Sequence, residues 1–239
     1  MNQTIQIISP FNLALAFVPV LVVLGIMWRW SLQAGHALYA IVRMLIQLLL
    51  VGYILTTIFA AERAWIVTVV MLIMVTAASW IALGTVKHLR IRLYRQAFVS
   101  ILLGGGLTLM LVTQAVIELE PWFEPRYMIP LAGMIFANAM NSVSLAVERL
   151  STELSRGLEF EKARSEAFQA AFIPTINGML AVGLVSLPGM MTGQILSGVS
   201  PIVAAHYQIV VMCMIFASAG LSTAAFLYFS RHALRQLAE

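Results

Sequence analysis

The sequence predicts an all-α integral membrane protein: a polytopic bundle of about seven transmembrane helices, N-terminus outside and C-terminus inside, with a broken sixth helix. Three observations carry this. The 239 residues are 61% hydrophobic and only 10% charged, with a mean hydropathy of +0.94, whereas a soluble domain carries about 25% charged residues. Apolar runs close to the roughly 20 residues that a membrane helix needs recur along the chain. The cations, finally, gather in alternate connections, as the positive-inside rule requires.

Seven spans follow: 11–28, 37–59, 65–86, 96–117, 127–147, 171–196 and 205–229. The first comes after "MNQTIQIISP", which has no basic n-region and no cleavage pattern, so that helix is expected to stay in the mature protein. With the N-terminus outside, the inside segments hold Arg29, Lys87, Arg90, Arg92, Arg95, Arg149, Arg156, Lys162, Arg164, Arg231 and Arg235, whereas the outside segments hold only Arg63 and Arg126. The turn "KHLRIRLYR" (87–95) reads as a topology determinant that touches anionic lipid, not as a nucleic-acid patch. The outside loop "ELEPWFEPR" offers Trp122 as an interfacial anchor.

In the second span, Arg43 and Gln47 are four residues apart and share a helical face. Arg43 either snorkels to the inner headgroups or faces a helix bundle or translocation path; Gln47 extends the same stripe with a second polar group. The fourth span carries Gly104 to Gly106, read as a close-packing surface or hinge. In the fifth, Asn138 and Asn141 suit interhelical hydrogen bonds or a substrate contact. Asn177, one turn past Pro174 in the sixth, could face them.

The sixth span contains "GLVSLPGMMTGQILSG" (183–198). Proline removes a donor and clashes with the preceding turn, and glycine loosens the backbone further, so a helix interruption is expected at Pro188–Gly189. Counting 1.5 Å per residue from Phe172 puts it roughly 24 Å along the helix, in the outer part of the bilayer. Backbone groups freed there need protein or water around them. Ser186, Pro188, Gly189, Met190, Met191, Thr192 and Gln194 are therefore candidates for a pathway lining or gate. A helix that simply ends at the outer surface is the competing reading.

Several classes are excluded. The ten acidic residues are all glutamates, and Glu62, Glu118, Glu120 and Glu124 fall outside the bilayer while the other six lie inside the cell, so no embedded acid is available for ion coupling. There is no GxxxxGK[ST] phosphate loop, so the chain cannot itself hydrolyse ATP. Cys213 forms no CxxC and reads as a small core hydrophobe. The fourteen methionines suit soft metals but are also ordinary membrane filler. No metal-ligand cluster and no bound cofactor are expected. A hydrolase built on Ser186 and His206 lacks a nucleophile elbow and an orienting third group.

The segments "RMLIQLLLVGYIL", "PLAGMIFANAM", "IPTIN", "VGLVSLPGMMTGQILSG" and "AAHYQIVVM", in that order, resemble the permease subunit of the FetB family, bacterial ABC-type exporters linked to iron efflux with plant relatives implicated in aluminium tolerance. The resemblance runs from about residue 38 to 229. It implies a single permease domain (1–239) in the inner membrane, a separate cytoplasmic ATPase that supplies ATP hydrolysis, two permeases with two ATPases, and iron or another metal as substrate. The largest inside segment, 148–170, then becomes a helical loop docking the ATPase, with Glu153, Gly157, Glu161 and Arg164 as coupling residues. A stand-alone channel or secondary transporter is the alternative.

Overall fold

The computed structural model describes residues 8–59 and 63–235; Glu62 and Glu239 of the charge pattern fall outside them. These residues are helical apart from turns and one isolated bridge, and six helical stretches among them, the first being Pro10–Arg29, are long and apolar enough to cross a membrane. The protein is thus a multi-pass, all-α membrane protein. The chain divides into two compact units, Met1–Ala61 and Glu62–Glu239.

The first unit holds α1 (Pro10–Leu15), α2 (Val18–Arg29) and α3 (Ala34–Phe59). The first predicted span is therefore two helices. Proline at the start of each explains the division: Ser9 caps α1 through the Asn12 amide at 3.2 Å, Pro10 opens it, and Pro19 opens α2. No residue of α1, α2 or α3 is buried.

The second unit contains α4 (Ala64–Ala82), α5 (Arg90–Leu111), α6 (Pro125–Ser155), α7 (Phe160–Ala181), α8 (Gly189–Leu196), α9 (Pro201–Phe229) and α10 (Arg231–Arg235). A 3₁₀ turn at Lys87–Leu89 precedes α5 and a π turn at Val112–Val116 follows it. Ser200 and Pro201 open α9 as Ser9 and Pro10 open α1.

Leu93 and Ile101 of α5, Ile135, Val143 and Leu150 of α6, and Met214 and Phe226 of α9 form the core, each at most 1% exposed. Lipid is as apolar as leucine, so these helices gain little from hydrophobic burial and must pack closely instead. Glycine allows that. A Cβ on Gly104 would meet the Ser222 backbone, with Cα at 2.8 Å, and one on Gly220 would lie 2.9 Å from the Phe172 ring. Phe172 stacks on Phe168 (centroids 4.9 Å) and meets Phe216 edge-on (5.3 Å), which pins α7 to α9. Outward-facing Leu102, Leu107, Met110 and Leu111 on α5 are an apolar surface that lipid covers.

The sixth predicted span is broken, but not where proline alone would break it. Helix α7 ends at Ala181, so the interruption begins six residues before Pro188. Val182 already leaves the helix (φ −61, ψ 129), and Gly183 adopts φ +83, the left-handed conformation that turns the chain back toward Ala181. Pro188 (φ −62, ψ 144) then serves as the N-cap of α8. Counted from Phe172, the remaining part of α7 covers only about 15 Å, against the roughly 24 Å expected to Pro188.

Candidate functional site

The break is a tight reversal that supplies its own hydrogen bonds. Val182 N–H donates to the Gly178 carbonyl (3.2 Å), and Gly183 N–H donates to the Ser186 carbonyl (3.0 Å). The N–H groups of Leu184, Val185 and Ser186 converge on the Ala181 carbonyl at 3.3, 2.8 and 3.1 Å. Every donor from 182 to 186 is thereby satisfied without another helix, which answers the desolvation cost that makes open backbone untenable in hydrocarbon. The tip is apolar and open, Leu184 being 90% and Val185 84% exposed.

After the reversal, α8 runs beside α9 and separates two cavities. The first, of about 500 Å³, is lined by Arg126, Tyr127, Pro130 and Met134 of α6, Met190 and Gln194 of α8, and Tyr207 of α9, with Ile117 just after the π turn. It is largely apolar, with one guanidinium and two phenols. The Gln194 Oε1 is buried there with no hydrogen-bond donor. The second, of about 380 Å³, lies on the other side of α8, lined by Met179 of α7, Val182, Gly183 and Leu187 of the reversal, Met191 of α8, and Gln208, Met212 and Cys213 of α9.

Of the pathway residues read from sequence, the structure thus brings Met190 and Gln194 to the first cavity and Met191 to the second. Thr192 turns back on the Pro188 carbonyl through its hydroxyl (3.1 Å), and Gly189 and Ser186 are exposed. The asparagines are not gathered. Asn138 donates from Nδ2 to the Met134 carbonyl of its own helix (2.8 Å), and Asn141 and Asn177 are exposed. Arg43 and Gln47 are exposed on α3 of the first unit. Cys213 is exposed and lines a cavity instead of filling a core. Helix α9 is apolar on every face, so periodicity could not have told its inner side from its outer one.

The connection between α6 and α7 is held by ion pairs. Helix α6 closes at Gly157 (φ +82), and α7 begins three residues later. Glu153, only 8% exposed, accepts from Arg149 at 3.0 Å and Arg156 at 3.1 Å. Glu161 pairs with Arg164 at 2.7 Å and with Arg231 of α10 at 3.3 Å, and Arg149 reaches Glu166 at 4.0 Å. Glu153, Glu161 and Arg164 are therefore engaged within the protein. Arg156, Gly157, Glu159 and Lys162 form the exposed surface of this turn. Among the described residues no group of three or more His, Cys or acidic side chains could hold a metal ion.

Comparison with known proteins places this arrangement among relatives. The family described as "Uncharacterised protein family (UPF0014)" matches residues 10–234. The Probable iron export permease protein FetB of Escherichia coli (strain K12) is 35% identical over 229 residues, covering 89% of this chain and 86% of that protein. The UPF0014 membrane protein slr1647 of Synechocystis is 35% identical over 226 residues (86% and 87%). Protein ALUMINUM SENSITIVE 3 of Arabidopsis thaliana is 33% identical over 225 residues (88% and 81%). No solved structure matches the chain.

Proposed function

The chain belongs to the UPF0014 family of membrane proteins, and from that membership we propose that it is the membrane-spanning subunit of an ABC-type exporter. In this reading it moves iron or another metal ion or small solute outward across the bacterial inner membrane, driven by a separate ATPase, with two permeases assembled on two ATPases. The metal comes from the name of the FetB relative.

One observation carries the mechanical part. Helix α7 is one continuous helix of 22 residues, with Pro174 in its interior, whose first turn sits in the ion-pair network and whose last residue anchors the reversal that lines the second cavity. A push on the exposed turn at 156–162 would travel along that helix, roughly 33 Å, to the lining of the second cavity. Rigid helices with discrete packing arrangements are the physical means by which such a displacement is carried. The network stiffens the handle; the exposed Arg156, Gly157, Glu159 and Lys162 are what an ATPase would grip.

Affinity purification from native membranes tests the reading. A chain bearing a Walker A loop is expected to co-purify in equal amount. Uphill transport by this protein alone, in sealed liposomes without nucleotide, would refute it.

A further inference from the structure

We propose that the smaller cavity, between the end of α7, α8 and α9, is a binding site for a soft monovalent d¹⁰ cation, Cu(I) or Ag(I), held by sulfur. Three thioethers and a thiol line it: Met179 from α7, Met191 from α8, and Met212 with the exposed Cys213 from α9. They come from three elements up to 34 residues apart in sequence, so this shared lining is a product of the fold and not of a methionine-rich run. Thioether and thiolate sulfur select Cu(I) among biological metals, whereas hard or borderline ions take oxygen or imidazole.

Charge narrows the choice further. Thioethers are neutral, and the cavity lining contains no carboxylate and no other ionisable group than Cys213. When a monovalent ion binds, Cys213 gives up its thiol proton to solvent and the thiolate forms the metal–sulfur bond, so the complex has no net charge. A divalent ion in the same donors would leave one positive charge in a low-dielectric site, at a large solvation cost.

A second observation is independent of the sulfurs. Gln208 lines the same cavity, is 5% exposed, and its Oε1 has no hydrogen-bond donor. Buried carboxamide oxygens are rarely left so. A cation, directly or through its water, supplies what this oxygen lacks. The assignment goes beyond the permease reading and would stand without it, because it concerns binding and not direction or energy.

The test is Cu(I) titration of the reduced full-length protein in nanodiscs against a chromogenic Cu(I) chelator, with Fe(II) as a parallel probe. The expected result is one Cu(I) per chain, weakened at least tenfold by Met191→Leu/Met212→Leu and by Cys213→Ser, and unchanged by Met110→Leu, an exposed methionine on α5. Ag(I) should also slow maleimide labelling of Cys213 in the wild-type protein, a measurement that needs no variant to fold. Three results overturn the proposal: no Cu(I) taken from the chelator, loss with Cys213→Ser but not with the double methionine variant (a lone thiol only), or Fe(II) bound more tightly than Cu(I). Failure to recover an ATPase leaves this binding intact, so the two readings fail separately.

Discussion

Met190 and Met191, consecutive residues on α8, line different cavities: Met190 shares one with Arg126 and Gln194, and Met191 shares the other with Gln208 and Cys213. Successive residues on a helix point about 100° apart, so a short helix wedged between two spaces divides them in this way. The two positions should be separable by mutation. Met191→Trp is expected to lower Cu(I) affinity at least tenfold, whereas Met190→Trp leaves that affinity alone and reduces efflux of the transported solute. Equal effects of both on Cu(I) affinity would mean that α8 does not divide the cavities.

Gly104, Gly105 and Gly106 should differ sharply on substitution by alanine. A Cβ at Gly104 meets the Ser222 backbone, which cannot step aside; one at Gly105 lies 2.9 Å from the Phe136 ring, which can turn; one at Gly106 finds only a Leu102 methyl at 3.9 Å. Overpacking of this kind costs about 1–3 kcal/mol. The melting temperature in detergent should therefore fall most for Gly104→Ala, less for Gly105→Ala, and not at all for Gly106→Ala.

Glu153 holds Arg149 and Arg156 together from a nearly buried position. Glu153→Gln leaves two cations without their shared partner, and because both arginines are partly solvated (40% and 65%) the loss is screened. A destabilisation of about 1–2 kcal/mol is expected, below the 3–5 of a fully buried pair. Chemical denaturation at low and high salt checks it, with the larger loss at low salt.

Gly157 takes a φ of +82 with open space around it, so Gly157→Ala costs only the left-handed backbone, about 1–2 kcal/mol. Membrane insertion should survive while the turn presented to an ATPase is distorted. We expect normal expression with ATPase stimulation reduced several-fold; unchanged stimulation would count against this turn as the handle.

Gln194→Leu separates stability from transport. The Gln194 Oε1 is buried and unpartnered, so an apolar replacement removes an unmet acceptor and should leave the melting temperature equal or higher. Solute efflux should fall if this oxygen serves a passing ligand, and efflux assays in cells carrying the variant check it.

The helices of this protein are legible in its sequence because length and polarity decide membrane helices almost alone. The interruption of the sixth span was legible as an event but misplaced. Pro188 is the louder signal, yet Gly183 acts first, and proline here begins a helix instead of ending one. The cavities were less readable. Met179, Met212, Gln208, Arg126, Tyr127 and Tyr207 gained significance only from tertiary proximity. Gln208, with Ser218, Ser222 and Thr223 on the same helix, is a polar signal that could have marked the inner side of α9 in advance, because such groups favour helix contacts over lipid. Glu153 and Glu161 are legible in the sequence only as charges, and the fold shows both occupied within the protein.

The reversal at 182–186 closes entirely on carbonyls of its own strand of chain, three of its amides on Ala181 alone. It therefore requires no later-made helix in order to exist. As the ribosome releases this stretch, α7 and the turn that caps it can enter the bilayer together, before α9 is made.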